Sequence, residues 1–282
     1  MPDIGFVNGR FSALAEATVS VEDRGYQFGD GVYEVIRTYH GKPFQLDAHL
    51  VRLERSAAAI DLPLPWTLQQ WDAHVREGVT RSGYPESKVY LQLTRGVAPR
   101  DHGFPATVRP TAVMTVRELK PMDPARQAAG VAVMTMDDWR WGRCDIKSVN
   151  LLPNVMARQK ATQAGAFEAV FVRRGQVTEG AVSNVMIVKA GRVLTAPGGE
   201  QILSGVTRTL VLELARKEGL PVDERFVSRE ELLGADEVFL TSTTIEVLPV
   251  IRVDGKAIGP GGSGKPGPVT QRLQAAFRHL VG

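Results

Sequence analysis

The chain has 282 residues, of which 43% are hydrophobic and 23% charged, the composition of an ordinary soluble globular protein with one large or two modest domains. Its net charge of +3 is spread over scattered basic residues, which argues against a nucleic-acid partner. No apolar run reaches about 18 residues, so no membrane span is expected.

Met1 to Phe6 has neither a basic n-region nor an apolar core, so no signal peptide is expected. Cys144 is the only cysteine, which excludes an internal disulfide and fits a reducing cytoplasm.

The opening, Ile4 to Phe11, reads as two short strands around an Asn8-Gly9 turn. Glu22 to Gly31 carries three glycines among charged and aromatic residues and reads as a constrained turn. It leads into a strand over Val32–Tyr39, whose alternation puts Tyr33, Val35 and Arg37 on one face. Alone, Tyr33 is a sheet tyrosine with a wet hydroxyl.

Asp47 is the expected N-cap of a helix with Leu50, Leu53, Ala57 and Ile60 on its apolar face. Arg52 leaves that helix on another face and reads, from its own residues, as a solvated arginine. Thr67 and Gln70 form a capping box for a second helix to about Ser82, ended by Gly83 and Pro85. Lys88–Thr94 alternates as a strand, and Val108–Val116 is another.

Between them lies Arg95 to Pro105, with Arg100 and His102 in a loop stiffened by two prolines. Guanidinium grips carboxylate in a bidentate fork, so the loop suits an anion; it reads equally as a surface loop with incidental charge. Leu119 to Pro124 is the best linker. It sets a small N-terminal α+β domain at 1–119, a linker at 120–124 and a larger domain at 125–282.

In the C-terminal part, Leu151–Ala164 is helical up to Gly165, with Pro153 in the first turn. Phe167–Ala196 is a run of short strands broken at Gly175-Gln176 and Ala190-Gly191. Thr207 is the expected N-cap of a helix to about Lys217, and a helix start there offers N–H groups to a phosphate. Ser228 and Glu231 cap a short helix. Glu237–Leu240 is a strand running into the hydroxyl cluster Thr241-Ser242-Thr243-Thr244, a second place where a phosphate could bind. A Gly- and Pro-rich loop, Gly259 to Pro268, precedes a last helix with Leu273, Phe277 and Leu280.

The stretch Trp139-Arg140-Trp141-Gly142-Arg143-Cys144-Asp145-Ile146-Lys147-Ser148 sets a lysine between an arginine-rich aromatic run and apolar Val149 to Leu152. Taken alone, Lys147 is a surface charge. If it is desolvated, or crowded by Arg140 and Arg143, its free amine is favoured, and such an amine forms a Schiff base with an aldehyde.

The segments Glu22 to Val35, Arg95 to His102, Arg143 to Leu152, Thr178 to Asn184, Leu203 to Arg208 and Thr241 to Thr244 carry a resemblance over essentially the whole chain. The sequence resembles the fold-type IV (class-IV) pyridoxal-phosphate aminotransferases, and within them the bacterial D-amino acid aminotransferases. Asp-Ile-Lys-Ser followed by Asn-Leu-Leu marks the fold, and Arg-Gly-x-x-Pro-Arg-x-His marks the branch. The resemblance implies a mixed α+β fold whose larger domain has a β-barrel-like core and flanking helices. It also implies pyridoxal 5'-phosphate on Lys147, with Glu179 facing the pyridine nitrogen.

By the same resemblance, Arg52, Val206, Thr207, Ser242 and Thr243 hold the phosphate and Leu203 packs on the ring. Tyr33, Arg100 and His102 trap the substrate α-carboxylate, the last two from the neighbouring subunit of a homodimer. The substrates implied are D-amino acids and 2-oxo acids. An L-branched-chain aminotransferase or an aminodeoxychorismate lyase of the same fold is the alternative. Relatives often have serines after Glu-Gly; this chain has Ala181-Val182-Ser183.

Overall fold

A computed structural model of the chain describes residues 2–282. It divides into two compact units: one runs to Pro121 and takes in Ile146–Asn150, the other comprises Met122–Asp145 and Leu151–Gly282.

In the first unit, β1 (Ile4–Val7) and β2 (Arg10–Ala13) form a hairpin. Asn8 and Gly9 both have positive φ, 48° and 92°, the turn whose twist suits paired strands. Glu22 to Gly31 is more than a turn: it contains helix α1 (Arg24–Phe28), whose N-cap Asp23 accepts from the Gly25 N–H and which Gly29 ends in the left-handed region. Then come β3 (Gly31–Tyr39), β4 (Lys42–Pro43), α2 (Leu46–Ala58), α3 (Leu68–Ser82), β5 (Ser87–Thr94) and β6 (Thr111–Glu118).

The strands pair antiparallel in the order β2-β1-β6-β5-β3-β4. α2 and α3 contribute Leu50, Leu53, Trp71 and Val75 to a core shared with Phe6, Ile36, Leu91 and Met114 from the sheet. The capping box of α3 forms in both directions between Thr67 and Gln70. Asp47 is not the N-cap of α2: Gln45, in the left-handed region, holds that position, and Asp47 lies in the first turn, where its charge still suits the helix dipole.

Ile146–Asn150 joins this unit rather than its sequence neighbours. Ile146 is buried in its core, Ser148 bridges Val32, and the Val149 N–H donates to the Gly31 carbonyl at 3.1 Å. The segment finds open backbone groups beside the start of β3, and this non-local pairing decides where Lys147 sits.

The second unit runs α4 (Pro124–Ala129), β7 (Val131–Asp137), α5 (Leu152–Gln163), β8 (Glu168–Arg173), β9 (Gln176–Gly180), β10 (Asn184–Lys189) and β11 (Arg192–Thr195). It continues with α6 (Val206–Lys217), β12 (Val222–Glu224), β13 (Val227–Ser228), α7 (Arg229–Leu233), β14 (Glu237–Ser242), β15 (Glu246–Val253), β16 (Lys256–Ala257) and α8 (Pro268–Val281).

Its ten strands form one sheet, ordered β12-β11-β10-β14-β15-β7-β8-β9-β13 with β16 on β15. The sheet curls into a half-barrel. β9 and β10 are separated by four strands along that path, yet the Gly180 N–H donates to the Ser183 carbonyl at 2.7 Å. Val133, Val170, Val185, Leu240 and Leu248 are among the side chains in its core. The barrel-like core and flanking helices expected from the resemblance are present. Thr207 does not cap α6: Gly205 does, without a side-chain hydrogen bond, and Thr207 lies buried inside the helix.

Candidate active site

In the first unit Lys147 is fixed through its backbone. Its N–H donates to Ser56 Oγ at 3.2 Å, and its carbonyl accepts the Tyr33 N–H at 2.9 Å. The side chain, half-buried, reaches over Tyr33, with Nζ 4.2 Å from the ring centre. Tyr33 is therefore more than a wet sheet tyrosine: its ring forms one wall around the amine. Arg140 and Arg143 each pair with acids of the second unit. Arg140 pairs with Asp138 and Glu179, and Arg143 pairs with Asp145.

Arg52 is not solvated. It is buried, and its Nε and Nη2 donate to the two Glu34 oxygens at 2.6 and 2.8 Å. Glu34 lies on the core face of β3, where Val32 and Ile36 also point, and His49 Nδ1 meets it at 2.8 Å. Burial pushes the Glu34 carboxyl up, but Arg52, helped by His49, outweighs it and holds the pKa at about 2. Burial likewise lowers His49, against the pull of Glu34. Glu34 and His49 were not singled out from the sequence. Their signal was present: a carboxylate in phase with apolar Val32 and Ile36, and a histidine three residues before Arg52 beside Leu50 and Leu53.

Arg100 and His102 come together over Phe28. The Arg100 guanidinium lies 4.5 Å from that ring centre and the His102 ring 5.4 Å from it. Their loop is held from behind by Arg24. Buried itself, Arg24 donates to the Asp101 carbonyl at 2.6 Å and the His102 carbonyl at 3.4 Å, and pairs with Asp30. Arg95 closes on the same Asp30 at 2.8 Å. At Gly96 φ is +93°, and a Cβ would lie 1.9 Å from the Arg109 carbonyl oxygen, so only glycine turns the chain there.

In the second unit Glu179 ends up buried near the close of β9. Arg140 donates to Oε1, while Asn184 Nδ2 and the Leu203 N–H donate to Oε2, each at 3.0 Å. Asn184 also donates to the Leu203 carbonyl at 2.8 Å. It thus ties the carboxylate to the turn that begins α6. At Gly205 an added Cβ would sit 2.1 Å from Asn184 Oδ1, so a larger residue there would push the Asn184 amide out of its place.

Val206 and Thr207 open α6 with no side-chain cap, leaving helix-end N–H groups for an anion. Ser242 ends β14 and Thr243 follows in a turn, both half-buried. Beside them, buried Thr241 Oγ1 has no hydrogen-bond partner among the described residues. No cluster of metal ligands occurs among the described residues.

In the second unit a carboxylate with both oxygens hydrogen-bonded lies beside an open helix start; in the first an amine lies over an aromatic ring. The profile of the family amino-transferase class IV matches residues 31–253. The chain belongs to the class-IV aminotransferases.

As a member it depends on pyridoxal phosphate. The D-alanine aminotransferase of Bacillus licheniformis is 47% identical over 274 residues, 97% of this chain and 95% of that protein. The D-alanine aminotransferase of Staphylococcus haemolyticus is 43% identical over 98% of this chain and 97% of its own. Among solved structures, the Escherichia coli branched-chain amino acid aminotransferase superposes with a TM-score of 0.91 at 27% identity, covering 100% of this chain and 95% of that one.

The residues fit the cofactor. Both oxygens of the Glu179 carboxylate are fixed by donors, and the orphaned Thr241 hydroxyl sits beside two further hydroxyls at the end of β14. Ala181, where relatives often have a serine, is buried against Ala157 and Phe171 and offers no hydroxyl. Glu168 secures the rest of that turn, its Oε2 accepting from the Val182 N–H and from Ser183 Oγ at 3.2 and 3.1 Å.

Proposed function

We infer that this class-IV aminotransferase is a D-amino acid transaminase, exchanging the amino group between D-alanine and 2-oxoglutarate, and related pairs, in ping-pong half-reactions. The observation that carries this is 41–47% identity to D-alanine aminotransferases over nearly the whole chain, together with the Arg95–His102 loop. The L-branched-chain reading has solved structures behind it, but at 27% identity against 41–47% for the D-alanine aminotransferases.

Pyridoxal phosphate, when bound, supplies an aldehyde for the amine and a ring that accepts the electron pair left at the substrate Cα. Lys147 would hold the cofactor through its amine, and that amine, once freed, would take up and return the Cα proton. Glu179 would face the ring nitrogen and hold its proton. Arg52, Val206, Thr207, Ser242 and Thr243 would take the phosphate, and Leu203 would pack on the ring. Glu34 and His49 keep Arg52 from swinging away.

Tyr33, Arg100 and His102 hold the substrate carboxylate. Arg100 and His102 reach the site of a neighbouring copy, which makes the working form a homodimer; their exposure on the loop supports this. Holding the carboxylate on one side decides which Cα substituent meets Lys147, so the enzyme takes one mirror image. A cytoplasmic location fits the lone cysteine. No helix among the described residues is long and apolar enough to cross a membrane.

The test is chiral analysis of the glutamate made from 2-oxoglutarate with D-alanine or L-leucine as donor. D-Glutamate from D-alanine alone is expected. L-Glutamate from L-leucine would transfer the chain to the branched-chain reading.

A further inference from the structure

Glu179 is not an isolated carboxylate. Arg140, its side chain buried, donates Nη1 to Glu179 Oε1 and directs Nε and Nη2 onto the two oxygens of Asp138, each at 2.9 Å. The Asp138 side chain is buried, pairs also with Arg173 at 3.1 Å, and accepts from Thr178 Oγ1 at 3.2 Å. The Phe171 ring lies against the Arg140 guanidinium, 4.5 Å from its centre, and the Cys144 thiol is the remaining titratable group near it. Two acids and two arginines therefore balance in a buried cluster with Glu179 at one end.

Structural reinforcement of β9 would not need this arrangement. Two buried ion pairs cost desolvation that apolar side chains would avoid, and Asn184 with the Leu203 N–H already fixes Glu179 Oε2. What Arg140 adds is charge. It draws on the same carboxylate that the ring nitrogen uses, and Asp138 sets how much of its own charge is left over.

We propose that Arg140, backed by Asp138, is a positioning residue that tunes how firmly Glu179 holds the proton on the cofactor's ring nitrogen. The proposal rests on Glu179 being that nitrogen's partner. Removing the cation then makes the nitrogen easier to protonate. Removing the anion behind it strengthens Arg140's claim on Glu179 and makes protonation harder. The two substitutions have opposite signs, whereas damage to the fold would move both the same way.

The holoenzyme reconstituted with nitrogen-15-labelled pyridoxal phosphate reports this directly, through the ring-nitrogen chemical shift titrated with pH in the wild type, Arg140→Gln, Asp138→Asn and Glu179→Gln. Relative to wild type, the titration should move up by about one unit in Arg140→Gln and down by a similar amount in Asp138→Asn, at the lower end of what a neighbouring charge gives. Glu179→Gln should move it down furthest. Arg140→Lys, which retains the charge without the fork, should return it most of the way to wild type and serves where Arg140→Gln fails to fold. If Glu179→Gln moves the titration while Arg140→Gln and Asp138→Asn leave it unmoved or shift it the same way, the proposal fails and the role of Glu179 stands. If Glu179→Gln itself leaves it unmoved, the Glu179 assignment is wrong and the proposal falls with it.

Discussion

Replacing Glu34 by glutamine tests the buried triad that aims Arg52. Glutamine keeps the shape of the side chain but removes the charge between Arg52 Nε and Nη2, 2.6 and 2.8 Å away, and His49 Nδ1 at 2.8 Å. Burial raises the Glu34 pKa, yet Arg52 and His49 bring it from 4.5 to about 2. At about 1.4 kcal/mol per unit that difference is roughly 3 kcal/mol, consistent with the roughly 3–5 kcal/mol lost when one member of a buried ion pair is removed.

A carboxyl whose folded pKa lies below its ordinary value stabilises fully above that value, 4.5, and ceases to do so as pH falls toward about 2. Wild type and Glu34→Gln should therefore differ by about 3 kcal/mol at neutral pH, with the gap closing through the acid range. His49 acts in the same direction but earlier. Its pKa is lowered from 6.5 by burial, so the unfolded chain binds that proton more readily and the fold loses stability as pH drops below 6.5. Urea unfolding followed by circular dichroism across pH measures both. A neutral-pH difference under about 1 kcal/mol, or a gap that stays constant into acid, would refute the triad's assigned role.

The carboxylate trap makes its own predictions. Arg100→Ala should raise KM for D-alanine by about 10- to 100-fold, the worth of a hydrogen bond to a charged group, and erode the preference for D over L; an unchanged preference sinks the trap. Arg24→Gln, which frees the Asp101 and His102 carbonyls, should raise KM more than it lowers kcat, and equal effects on both would contradict a purely positioning role. Gly205→Ala places a methyl 2.1 Å from Asn184 Oδ1. It should weaken cofactor affinity about tenfold in fluorescence titration of the apoprotein, and unaltered affinity would show that Asn184 does not link the turn to Glu179.

Much of this architecture was written in local pattern. The Asn8-Gly9 hairpin and the capping boxes at Thr67/Gln70 and Ser228/Glu231 formed where their residue types require, because each is settled within four residues. Helix starts proved looser. Asp47 and Thr207 are plausible caps by type, but buried Leu46 and the tight Asn184–Gly205 contact go with helices that start two residues earlier in each case. Strands β7 and β15 lie outside the runs read as strands, since short apolar stretches show no helix or strand period of their own. Pairings across the chain were the least legible. Nothing near Lys147 says that Ser148 will bridge Val32, and nothing near Arg140 says that its guanidinium will reach Glu179. The residues proposed to hold the cofactor came from family resemblance alone, whereas the acids and arginines packed around them had no such signal.

The absorption spectrum of the purified protein with pyridoxal phosphate tests the central claim most directly, recorded before and after D-alanine and, separately, L-leucine, with Lys147→Ala alongside. A visible band is expected that D-alanine bleaches, that 2-oxoglutarate restores, that L-leucine leaves alone and that Lys147→Ala lacks. Bleaching by L-leucine in place of D-alanine, or an unaltered band in Lys147→Ala, would contradict that claim.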